Sequence, residues 1–304
     1  MCYIYYILCT EQLCRRCGRM DDDMKSKPVL ALCAAASAVL GAGLGLYRSS
    51  LIAKCTDPAT GRLFLQSAGT FTPFFAAAGV CVLLFFALSF PARRIPLHAG
   101  LRPAGTGAKT ARVAAAFLLF AAAALLLTQA GAFTALSILK SLFLLSCGGA
   151  VLVSVKARSV QEKAMCSLFP LFFTSIYLLS FYRDSARNPL TYTFAFEILS
   201  VIALLLALYL SACLWFGKKR PGPLLFFAMA ATFGTVAVSA GTLLDRAFFR
   251  LYLPVGPADA VMACALVLWV WLELFDAVRP LPPQPEAAAP HAEEGPEEPG
   301  DLQQ

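Results

Sequence analysis

The chain reads as an all-α polytopic transmembrane helix bundle of about eight spans. Three observations lead there. Hydrophobic residues make up 59% of the 304 positions and charged residues only 14%, with a mean hydropathy of +0.70, whereas a soluble domain carries about 25% charge. The apolar residues are gathered into long uninterrupted runs. The charges fall in short clusters between those runs, as loops on a membrane protein do.

A spanning helix needs about 20 mostly apolar residues. The runs that qualify are Pro28 to Tyr47, Thr70 to Phe90, Ala111 to Ala130, Phe133 to Val155, Ala164 to Tyr182, Leu190 to Phe216, Pro223 to Leu244 and Ala258 to Phe275. Backbone N–H and C=O groups in hydrocarbon must bond within their own segment, so each run is expected to be helical. The strands of a transmembrane β-barrel would be about half as long and alternate in polarity. The first run competes with a signal-peptide reading, because Ala34 to Ala38 offers small-residue cleavage sites. Leu32 before Cys33 does not suit a lipoprotein signal, and the run continues past any cut to Leu46, which favours an uncleaved helix.

Three regions follow. Residues 1–23 form a doubtful N-terminal extension, because Met24-Lys25-Ser26-Lys27-Pro28 resembles the start of a bacterial membrane protein. Residues 24–279 form the bundle. Residues 280–304 hold seven prolines and six acidic residues with hardly any large apolar side chain, and are expected to be a disordered cytoplasmic tail.

Charge orients the bundle. Counting from Met24 and setting aside Lys140, one alternate set of connecting segments carries fourteen Lys and Arg and the other seven. Arg93, Arg94, Lys156, Arg158, Lys218, Lys219 and Arg220 belong to the richer set; Arg48, Lys54, Arg183, Arg187 and Arg246 belong to the poorer. The excess places both termini in the cytoplasm. The net charge of +7 is thereby explained without nucleic acid, for which no basic face on a soluble module exists.

The composition excludes several chemistries. Six of the eleven cysteines, Cys33, Cys81, Cys147, Cys166, Cys213 and Cys264, lie within apolar runs and act as small hydrophobes. Cys2, Cys9, Cys14 and Cys17 crowd the N-terminus, where Cys14 and Cys17 make a single CxxC with no His nearby, so no metal and no cofactor is expected. No glycine-rich phosphate loop, paired-histidine metal motif or nucleophile elbow is present, and an enzyme is not expected.

Ionisable residues inside the apolar runs are the strongest functional pointer, because charge at membrane depth is costly and faces the bundle interior or a partner. Lys140 and Glu197 each lie about seven residues into their runs, at roughly 10 Å depth. They are expected either to form a buried pair or polar pocket, or to snorkel and hydrogen-bond independently. Asn188 and Pro189 suit the start of the sixth helix, bringing Tyr192 close to Glu197 with Arg183 and Arg187 above. This group suits either a site for an anionic or zwitterionic ligand or for lipid headgroups, or an interfacial anchor. Glu273 and Asp276, beside Trp269 and Trp271, are expected to be interfacial carboxylates. The pairs Gly41–Gly45, Ala230–Gly234 and Ala237–Gly241 mark close helix approach, and Pro73 and Pro170 are sites for kinks. The loop through Asp57-Pro58-Ala59-Thr60-Gly61 is read as a turn or short outer hairpin.

That turn, together with Arg183-Asp184-Ser185-Ala186-Arg187-Asn188-Pro189 and Glu197, resembles an uncharacterised family of eight-helix multi-pass membrane proteins of anaerobic gut bacteria. The resemblance implies a bacterial plasma-membrane location and supplies no activity. Two functions are expected: a small-solute transporter or permease-like protein with Lys140, Glu197, Tyr192, Arg183 and Arg187 at its site, or a non-catalytic membrane component that binds a protein partner or senses the envelope. The lipid bilayer is the constant partner.

Overall fold

The computed structural model of the chain describes residues 2–55, 69–92, 95, 97, 105–129, 135–186, 194–244 and 256–278, with side chains from residue 27 onward. Among these residues there is no strand. The helices are α1 (Cys2–Cys55), α2 (Thr72–Ala92), α3 (Thr106–Gln129), α4 (Ala135–Val155), α5 (Val160–Ala186), α6 (Phe194–Trp215), α7 (Pro221–Leu244) and α8 (Pro257–Ala277). Each contains a stretch long and apolar enough to cross a membrane; in α1 it is Lys27–Ile52. The chain is thus an integral membrane protein of the multi-pass type.

The boundaries differ from the apolar runs in informative ways. α1 extends past Tyr47 to Cys55, so Arg48 sits inside the helix rather than in the following loop. At the other end it continues back to Cys2, with Pro28 inside it rather than in a first turn. Pro73 falls in the first turn of α2, where its missing N–H costs nothing, and so makes no kink. Pro170 does lie inside α5, and the Thr174 hydroxyl donates to its carbonyl at 2.8 Å. The connection from α6 to α7 is tight because Gly217 adopts φ +82° and ends the helix, the Lys218 N–H reaching the Cys213 carbonyl at 2.9 Å. Pro221 then opens α7.

Helices α3 to α8 form a closed ring in which each touches the next and α8 returns to α3. α1 and α2 lie outside the ring, both on α7, which is the most buried helix. α2 shows why so apolar a helix has a defined orientation. Phe74, Ala78, Phe85 and Ser89 recur at helical spacing and are buried, whereas Val80, Leu83, Leu84 and Phe86 face outward. Phe85 meets Phe233 of α7 edge-on at 5.5 Å between ring centroids.

In lipid the drive for association is close packing rather than expulsion of water. The small-residue pairs supply it. A side chain on Gly41 would sit 2.6 Å from the Phe233 carbonyl, and one on Gly45 2.6 Å from the Ala237 carbonyl. The ascending order of these contacts makes α1 and α7 parallel. α7 offers a second small face to α6, where Gly234 meets Ser200.

Candidate functional site

Two buried polar centres lie at opposite ends of the bundle. The first gathers where α1 finishes and α6 and α8 begin. Glu197, in the first described turn of α6, is ion-paired with Arg48 of α1, each side chain being only 1% exposed. Arg48 reaches α6 by crossing α7, and Gly241 leaves the passage: a Cβ there would stand 3.3 Å from Arg48 Nη1. Lys140 of α4 is half-buried, with its ammonium 5.9 Å above the Tyr177 ring. Tyr177 stacks between Phe173 and Phe181 along α5, with centroids 6.2 and 5.9 Å away.

A narrow cleft with a cavity volume of about 40 Å³ lies between α5, α6, α7 and α8 beside this cluster. Among the described residues Glu197 and Asp259 are the charged members of its wall, with Tyr177 and hydroxyls of Thr174, Ser200, Thr235 and Ser239. The remaining wall is apolar, including Leu204, Val238 and Leu266. Asp259 also closes the start of α8, accepting the Gly256 N–H at 2.8 Å.

The Lys140–Glu197 pairing expected from equal depth thus becomes a cluster in which Arg48 engages Glu197 and Lys140 stands over Tyr177. Arg183 is exposed near the end of α5. Tyr192, Arg187, Asn188 and Pro189 lie outside the described residues, as do the Asp57–Gly61 turn and the acidic tail. The sequence does not single out Arg48, because the first apolar run stops at Tyr47. Its signal was the small-residue stripe, which continues one turn past Gly45 to Arg48 and faces Gly241.

The second centre lies where α3 and α5 begin and α8 ends. Arg112 donates to Glu273 at 3.1 Å and is ion-paired with Asp276. Lys163 lies 3.4 Å from both carboxylates and 3.8 Å from the Trp215 ring centroid. Glu273 is wholly buried, which corrects its expected interfacial place. The correction extends to the tryptophans: Trp269 and Trp271 are core residues, and Trp271 Nε1 donates to Thr232 Oγ1 at 2.8 Å. Two carboxylates three residues apart share one face of α8, and that face turns inward to two cations. Arg112 and Lys163 therefore serve in a buried network.

Among the described residues no His, Cys, Asp and Glu group suits a metal ion. The side chains of Cys2, Cys9, Cys14 and Cys17 lie outside the described residues. Comparison of the chain with protein-family models, curated proteins and solved structures finds no match.

Proposed function

We propose that this chain is a small-solute transporter or permease-like protein of a bacterial plasma membrane, with both termini cytoplasmic and its solute site in the α5–α8 cleft. The observation that carries this reading is the cleft itself, whose wall includes one carboxylate of a fully buried ion pair. Charge retained at membrane depth marks ligand and ion pathways, because an inert bundle gains nothing from it that apolar packing would not supply. The second charged network at the far end supports the same reading, giving the bundle a polar closure at each end with apolar packing between. By the charge asymmetry of the loops the cleft end faces outward. The reading includes no catalysis.

The test is access. Val201→Cys and Ala263→Cys place thiols in the cleft wall, in a chain whose native cysteines are replaced. A membrane-impermeant maleimide is applied to right-side-out and inside-out vesicles. A transporter exposes the cleft to each side in turn, so both preparations label. Labelling from one side only favours the alternative, a non-catalytic component that binds a partner or senses the envelope.

A further inference from the structure

We propose that the α5–α8 cleft binds a small organic cation with an apolar body, and that Arg48 is the resident cation which such a ligand displaces from Glu197. The inference rests on the solute-site reading and adds the charge class of the solute. It differs from the anionic or zwitterionic ligand expected from Arg183 and Arg187; Arg183 is exposed and is not a wall residue of the cleft.

Among the described residues the charged members of the wall are two carboxylates, Glu197 and Asp259, the first of them ion-paired with Arg48. An anion that drew Arg48 away would leave Glu197 without its counter-charge in a low-dielectric site, which is costly. A cation meets three favourable surfaces. The carboxylates supply charge. Phe181, in the wall beside Tyr177, supplies an aromatic ring, and Lys140 already stands over Tyr177 as a cation in this cluster. Leu204 and Leu266 supply apolar contact for the body of the ligand.

The exchange with Arg48 follows from where Arg48 is anchored. Its Cα lies one helical turn before Ile52, the end of the α1 span. Its long stem can therefore carry the guanidinium outward to the headgroups, as Lys and Arg side chains do near helix ends. Gly241 leaves the path over α7 open. A ligand cation taking its place keeps Glu197 neutralised, so no step leaves a carboxylate buried without a counter-charge. Because Arg48 joins α1 to the ring, its release would also loosen α1 from α6 and report binding to the exterior of the bundle.

The experiment uses the full chain in lipid nanodiscs, with benzyltrimethylammonium as probe and benzenesulfonate as the anionic counterpart of similar size. Saturable binding is measured by equilibrium dialysis. The expected result is cation binding that tightens on the order of tenfold in Arg48→Met, where the competitor is gone, and weakens on the order of tenfold in Asp259→Asn. Binding should be lost in Arg48→Met/Glu197→Gln, a double variant that removes both charges and so avoids leaving either one buried alone. Preference for benzenesulfonate, or unchanged cation affinity in Arg48→Met, overturns the inference. If neither probe binds while Val201→Cys labels from both sides, the cation class fails and the transporter reading stands. If neither binds and labelling is one-sided, both fail.

Discussion

The Arg48–Glu197 pair gives the sharpest prediction about stability. Both side chains are 1% exposed, so neither charge is relieved by water. At an effective dielectric of about 20, unit charges about 4 Å apart attract by about 4 kcal/mol. Removing Arg48 forfeits that attraction and strands Glu197 in the bundle, a loss of about 3–5 kcal/mol for a buried pair. Arg48→Met should therefore lower the unfolding free energy by about 3–5 kcal/mol, and Glu197→Gln by less than that, because the freed guanidinium can reach the headgroups. The double variant replaces two buried charges by side chains of similar volume, which is often neutral. It should be more stable than Arg48→Met. The assay is reversible unfolding in mixed micelles by titration with sodium dodecyl sulfate, run as a double-mutant cycle. Gly241→Leu, which closes the passage over α7, should reproduce much of the single-variant loss without touching either charge. Small additive effects, each below about 1 kcal/mol, would refute the reasoning, because that is how a solvated pair behaves.

Other predictions follow from the packing. Gly41→Ala and Gly45→Ala should each cost about 1–3 kcal/mol in the same unfolding assay, because the new methyl meets α7 backbone at 2.6 Å; Gly43→Ala, with nothing within 4 Å, should be neutral or stabilising by up to about 1 kcal/mol. Equal losses at all three would remove the α1–α7 contact as their cause. Glu273→Gln should destabilise by about 3–5 kcal/mol and Asp276→Asn by less, since their side chains are 0% and 13% exposed; the reverse order would place the network at the surface. In intact cells an impermeant maleimide should modify Lys54→Cys and spare Lys218→Cys, with the opposite outcome in inside-out vesicles; inversion would overturn the assigned orientation.

How much of this was legible in the sequence depends on what breaks the symmetry of an apolar helix. Length and hydrophobicity alone locate the spans, and the runs coincide with the eight helices to within a few residues at most ends. They do not say which face of a helix turns inward, because lipid and protein interior are equally apolar. In α2, Val80 and Phe85 are both large and hydrophobic, yet one faces out and the other is core. Charged and small residues carry the missing information. Glu197 was found because a carboxylate within an apolar run has few places to go. Its partner Arg48 stands just past the end of the first apolar run and reads as loop. Glu273 and Asp276 read as interfacial for the same reason: near a span end, a charge that snorkels and a charge that is buried occupy the same position in sequence. Pairing separates the two cases. Glu273 and Asp276 fall on one face three residues apart. Arg112 and Lys163 each stand near the start of a span that the alternating topology brings to the same end as the last turns of α8. Two cations and two carboxylates at one end cancel, whereas four interfacial charges would have no need to. The same test applied at the opposite end finds Arg48 and Lys140 with Glu197 and Asp259, again two against two. A bundle that balances charge within its helices at both ends holds each charge at the expense of easier apolar packing, and the cleft beside Glu197 and Asp259 is where that arrangement meets open space.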